Sequence, residues 1–119
     1  MITAAFDTSV GLSLAVADDN EIILDVVAEN RNGARGNDMA DWLASHLEQA
    51  GLRPQEITRW TVGAGPGSFV GLRSGMALIK GICLQSAAQV RGLPSSLAVA
   101  AAALDDNQIK STEFKCVAV

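Results

Sequence analysis

Apolar and polar positions alternate along the first thirty residues and then change period. Ile2 to Phe6 is a short apolar run closed by the polar turn Asp7-Thr8-Ser9-Val10-Gly11. Leu12, Leu14 and Val16 alternate with Ser13, Ala15 and Ala17, which predicts a second strand with one richer face. Asp18-Asp19-Asn20 has the chemistry of a hairpin turn, and Glu21 to Glu29 predicts a third strand. Three strands joined by short turns predict an antiparallel meander. Asn30 to Gly36 is polar and contains glycine, so it reads as a loop.

Beyond that loop the period is helical. Met39, Trp42, Leu43, His46, Leu47 and Ala50 recur at i, i+3, i+4, i+7, i+8 and i+11, with Asn37 or Asp38 as cap and Gly51 as stop. Pro54 and Glu56 lie in a connection, and Thr58 to Val62 is the next strand, which a right-handed crossover adds parallel to the first. The stretch Gly63 to Gly75 joins it to the most apolar helix, Val70 to about Gln89. A strand, a glycine turn and a helix N-terminus together offer unpaired N–H groups and a positive dipole end, suited to an anion or a carbonyl. Gln89 to Leu93 predicts a short strand, Pro94-Ser95-Ser96 starts a helix running to Leu104, and Asp105 to Glu113 is polar loop. Phe114 to Val119 is a β-type run that stops at the last residue, as expected of a chain shorter than its fold. The order predicts a single α/β lobe over residues 1–119 of the ribonuclease H-like or actin-like kind. Its meander is extended by parallel strands, with helices on both faces of the sheet.

The helix over 70–89 has no properly polar side. At 100° per residue, Gly75, Met76, Ile79, Ile82, Cys83 and Ser86 share one side, and Arg73, Ala77, Lys80, Gly81, Leu84 and Ala88 another. A helix apolar nearly all round needs cover on more than one side, and a lobe this small supplies one layer per sheet face, so part of it is expected to meet another chain or a missing domain.

Composition narrows the classes. Hydrophobic residues make up 49% of the 119 but aromatics only 4%, without a tyrosine, so the core must be aliphatic and alanine-rich. A net charge of −4 argues against a chain that binds nucleic acid over its whole surface. Residues 57–104 nevertheless hold Arg59, Arg73, Lys80 and Arg91 without one acid. Cys83 and Cys116 sit apart in apolar runs, which suits buried reduced thiols. The N-terminus lacks a basic signal region and no apolar run nears the ~20 residues of a membrane span, so a cytoplasmic protein without membrane contact is expected.

Generic motifs fail. A Walker A loop needs Lys-Ser/Thr where Ser68-Phe69 stands, and a dinucleotide fingerprint needs an acid some twenty positions on, where none occurs. Asp7-Thr8-Ser9 alone is an ordinary turn. His46 has no second His or Cys at ligand spacing, so no metal site is expected and a partly buried structural role is preferred. Ser68 has no His or Asp arranged to activate it as a nucleophile.

Asp7-Thr8-Ser9 after an opening strand, then Gly65-Pro66-Gly67-Ser68-Phe69-Val70-Gly71-Leu72-Arg73, then Pro94-Ser95-Ser96-Leu97, resemble the TsaB (YeaZ) family. This is the glycoprotease-like subunit of the bacterial machinery that makes threonylcarbamoyladenosine in tRNA. The resemblance covers the first lobe of a member, with the second lobe absent. It implies a non-catalytic scaffold that pairs through first-lobe helices with a TsaD-like catalytic subunit, with a TsaE-like ATPase as a further partner. It also implies a homodimer when alone and only indirect contact with tRNA. Arg73, Ala77, Lys80, Gly81, Leu84 and Ala88 then become the partner interface, with Trp42, Met39, Leu43 and Leu47 of the first helix as its neighbouring surface. Asp7 falls where actin-like folds place a carboxylate working with nucleotide phosphate, so Asp7, Thr8, Gly65, Gly67 and Ser68 make a phosphate site. With one lobe, ATP binding there is expected to be weak or absent. No catalytic residue is expected: the two histidines on one helix of the catalytic subunit are missing, and Gly36-Asn37-Asp38 replaces the His-Ser pair common at the first helix. The rival readings are a small phosphate- or nucleotide-binding domain with its own ATP-dependent activity, and an inactive fragment.

Overall fold

A computed structural model of the chain describes residues 1–9, 11–28, 36–67 and 69–105, except for the side chains of 36–38 and 102–105. The meander forms as the alternation requires. Strand β1 (Ile2–Asp7) pairs antiparallel with β2 (Leu12–Asp18), and β2 with β3 (Glu21–Ala28). At the hairpin Asp19 takes a left-handed φ of 52°, a region Asp tolerates better than most residues. Strand β4 (Ile57–Gly63) adds parallel to β1 and β5 (Gln89–Leu93) parallel to β4, giving the order β3-β2-β1-β4-β5. Helix α1 (Gly36–Gln49) and a 3-10 turn at Pro54–Glu56 cross from β3 to β4. Helix α2 (Phe69–Ser86) crosses from β4 to β5, and α3 (Ser95–Asp105) follows β5.

Register gives the sheet two unlike faces. Phe6, Leu14 and Val62 form one row of the first face and Ala4, Val16 and Trp60 the next, all buried. Met39, Leu43 and Leu47 of α1 and Ile79 and Cys83 of α2 close over them as one core. Burying each such aliphatic side chain contributes roughly 1.5–3 kcal/mol, which is why this face holds the lobe together. Trp60 is fully sheltered, and its indole N–H finds no partner among the described residues. On the second face the rows are small but for one arginine: Ala5, Ala15 and Thr61 in one, Thr3, Ala17 and Arg59 in the other. Helix α3 stands over this face and encloses with it a cleft of about 480 Å³ lined by Ala5, Ala15, Thr61, Leu97 and Ala98. Helices therefore lie on both faces, as the sequence order predicts.

Element ends differ in informative ways. Helix α1 opens at Gly36, so Asn37 and Asp38 fall in its first turn rather than before it. It closes as expected at Gly51: with φ at 73°, Gly51 N–H donates to Glu48 O and Leu52 N–H to Leu47 O, capping the last carbonyls. Helix α2 stops at Ser86, short of Gln89, because Ala87 takes a left-handed φ of 56° and turns the chain so that Gln89 can pair beside Arg59. The predicted polar loop beyond Asp105, the run at 114–119 and Cys116 lie outside the described residues.

A Cβ in left-handed backbone costs energy that glycine avoids. Ala87→Gly is therefore expected to stabilise the chain by about 0.5–1 kcal/mol, read as a higher midpoint in urea unfolding.

Candidate functional site

The three parallel strands end on one side of the sheet, where open α/β folds carry ligands. Asp7 ends β1, Gly63 ends β4, and β5 runs through Leu93 into Pro94 and Ser95. The expected phosphate residues do come together here. Asp7 sits beside Gly63, Ser9 against Gly67, and Gly65 against Ser95, while Ser68 lies outside the described residues.

The glycines explain how. A Cβ on Gly63 would overlap the Asp7 carboxylate, and one on Gly67 would stand 2.6 Å from Ser9 Cα and O. One on Gly75 would stand 2.8 Å from Thr8 Oγ1. Thr8 itself is buried at 1% exposure and donates its hydroxyl to Gly71 O at 2.8 Å, from β1's end to the first turn of α2. Gly65, at a φ of 96°, turns the loop, and its N–H donates to Ser95 Oγ at 3.3 Å while Ser95 N–H donates to Gly65 O at 2.8 Å. Packing onto the Asp7–Ser9 turn thus accounts for three glycines of the stretch, and φ accounts for Gly65.

Asp7 accepts a hydrogen bond from Ser9 N–H at 2.7 Å. Partial burial pushes its carboxyl up, but hydrogen bonding from the Ser9 hydroxyl and N–H and from Ser95 outweighs this and holds it below its ordinary value of 3.8. Asp7 is thus a fixed carboxylate, fit to accept hydrogen bonds or carry negative charge. Ser95 is the site residue that sequence reasoning did not single out; its only sign was its place in Pro94-Ser95-Ser96. Among the described residues no group of three His, Cys, Asp or Glu could hold a metal ion. His46 is half-buried, with its ring 4.6 Å from that of Trp42, edge-on, and the Cys83 thiol is buried and pushed up by that burial.

The second candidate surface is the outer side of α2. Arg73, Ala77, Lys80, Gly81 and Leu84 are all exposed there, with Phe69 and Val70 extending the stripe and the Arg73 guanidinium 5.3 Å from the Phe69 ring centroid. Ala88 leaves this group. It lies beyond the end of α2 and packs half-buried against the core, since the helical projection ceases to apply after Ala87. Met39, Leu43 and Leu47 leave it too, each at most 2% exposed in the core beneath α1. Trp42 is half-buried, stacked toward Phe6 with ring centroids 6.4 Å apart.

A five-stranded mixed sheet in this order, with a glycine-built crevice at its carboxyl ends, defines a ribonuclease H-like α/β lobe. The family described as TsaD: tRNA N6-adenosine threonylcarbamoyltransferase matches residues 35–117, more than half of the chain, and the chain belongs to that family. Among solved structures, YeaZ from Pseudomonas aeruginosa superposes with a TM-score of 0.74 at 19% identity, over 91% of this chain and 52% of that one. A protein described as similar to the peptidase YEAZ, from Pseudomonas aeruginosa, gives 0.66 at 21% identity, over 89% and 49%. RuvC of T. thermophilus, in complex with Holliday junction substrate, gives 0.58 at 12% identity, over 100% and 89%. These likenesses are of fold, and the TsaB (YeaZ) resemblance read from the motifs holds. The chain spans about half the length of the two YeaZ-type structures. No curated protein matches it.

Two α2 glycines should respond to the same substitution with opposite sign. Gly81→Ala fills open space and gains helix propensity, stabilising by about 0.5–1 kcal/mol, whereas Gly75→Ala drives into Thr8 and destabilises by roughly 1–2 kcal/mol in denaturant melts. Asp7 makes a pH test. Its folded value is depressed, so its contribution to stability is present above the unfolded value and is lost as pH falls through the folded one. Wild-type stability should therefore drop from about pH 5 downward more steeply than that of Asp7→Asn in urea melts.

Proposed function

We propose that this chain is a non-catalytic, protein-binding subunit of the machinery that makes threonylcarbamoyladenosine in tRNA, working in the cytoplasm. It pairs through the outer side of α2 with a TsaD-like catalytic subunit, and with a second copy of itself when alone. A TsaE-like ATPase is a further partner of the assembly. The observation that carries this reading is the uncovered apolar stripe of α2, on which Phe69 is 71%, Val70 69% and Leu84 87% exposed beside Ala77 and Gly81. Small residues let a second helix approach closely, and large apolar ones at both ends supply area worth burying. Membership in the transferase family supports the pathway. The non-catalytic part rests on the lone histidine, His46, being engaged edge-on with Trp42. It rests also on Gly63, Gly67 and Gly75 serving the packing of the Asp7–Ser9 turn, so no cofactor is tightly held. Among the described residues no helix is long and apolar enough to cross a membrane.

Light scattering of the chain, alone and mixed with a TsaD-like subunit, tests the reading. The expected result is a homodimer alone and a heterodimer on mixing. Gly81→Arg fits the folded monomer, since nothing lies within 4 Å of the added Cβ. In the complex it would bury an unpaired charge, so a loss of association by 3–5 kcal/mol, or about a thousandfold, is expected with the fold unchanged by circular dichroism. Association of Gly81→Arg at wild-type strength, or a wild-type chain that stays monomeric in both mixtures, would overturn the reading.

A further inference from the structure

Charge is divided across the sheet. Asp18 and Asp19 at the hairpin and Glu21 and Asp25 on β3 gather at one edge, while β4 and β5 at the other carry Arg59 and Arg91 and no acid. Register sets Arg59 beside Gln89 and Thr61 beside Arg91, so the two arginines are diagonal neighbours on the second face, with Gln89 and Thr61 at the other corners. All four line one shallow depression of about 730 Å³, which no carboxylate lines. Both arginines are exposed, and neither is in an ion pair among the described residues, whose pairs are Met1 with Asp18 and Asp19, and Arg53 with Glu56. A charge on an edge strand often serves to block further strand pairing. That accounts for Arg91 on β5 but not for Arg59, which sits on β4 between two partner strands. Two guanidinium forks without an ion-pair partner among the described residues, carried on paired strands that fix the spacing of their Cα atoms, suit two phosphate groups of one backbone.

We propose that the β4–β5 end of the second sheet face binds the phosphodiester backbone of RNA. Arg59 and Arg91 each take a phosphate, and Gln89 and Thr61 donate to phosphate or ribose oxygens between them. The inference rests on the tRNA-modification reading for the source of the RNA and goes beyond it, because it gives this subunit a direct contact with the nucleic acid. No exposed aromatic lines the depression, so bases are not stacked there and binding is indifferent to sequence and sensitive to salt.

The test is fluorescence anisotropy of the full chain with a labelled, unmodified tRNA transcript over a salt series. Arg59→Gln with Arg91→Gln should weaken binding about tenfold or more and flatten the log–log salt slope by roughly 1.4–1.8, the loss of two phosphate contacts. Arg59→Lys with Arg91→Lys should retain most of the affinity, and Arg53→Gln, which removes a positive charge outside the depression, should change it less than twofold. No binding by the wild-type chain, wild-type affinity in the double Gln variant, or an Arg53→Gln loss matching it per charge would each overturn the proposal. Light scattering of the double Gln variant with the TsaD-like subunit separates the two readings. Intact association with unchanged RNA affinity removes only the RNA contact, and Arg-dependent RNA binding by a chain that ignores the subunit removes only the scaffold.

Discussion

The lobe depends on how closely the glycine stretch can lie against the end of β1. Two segments about sixty residues apart in sequence meet there without room for a single extra carbon. Gly63, Gly67 and Gly75 face Asp7, Ser9 and Thr8 in turn, and Thr8 reaches across to the Gly71 carbonyl. That contact sets where α2 begins and how deep it sits, which in turn decides that Ile79 and Cys83 reach the core and Leu84 does not. The same approach brings β5's end, through Ser95, to the Asp7 carboxylate. A stretch that looks from its composition like an anion cradle is thus first a packing device.

From this follows the division of labour between the faces. The rich face, with Phe6, Leu14, Val16 and Trp60, is spent on α1 and α2. What α2 has left over is a stripe that no other described element covers, and the second face carries α3. A lobe arranged in this way presents an apolar helix on one side and a charge-divided sheet on the other, two surfaces with different chemistry and no overlap in residues.

Much of this was legible in the sequence, and the failures have physical causes. Among the described residues, alternation located β2 and a 3.6 period located α1, because one buried face leaves that imprint, while short apolar or alanine-rich runs bounded by turn residues located the other strands and helices. The exposed side of α2 could be projected for the same reason. The end of α2 was not legible: Ala87 in left-handed backbone carries none of the signal that Gly or Asn would, so Ala88 was assigned to a helix that had already stopped. The first helix showed an apolar face without showing what it faced, and Met39, Leu43 and Leu47 went to the core while only Trp42 kept part of its surface. Ser95 was hidden because its link to Asp7 spans most of the chain, a distance over which local pattern has no reach. The glycines were legible as glycines, but their cause was not, since the atoms they make room for belong to a different segment.

The chain's two tryptophans sit in opposite surroundings. Trp60 is sealed beneath α2 with its N–H unpartnered among the described residues, whereas Trp42 is half-open and pressed edge-on to His46. In fluorescence the first is a short-wavelength emitter that reports the intact core. The second, half-open to solvent, emits at longer wavelength and reports the surface of α1. One emission spectrum therefore separates loosening of α1 from collapse of the sheet, without any label being added.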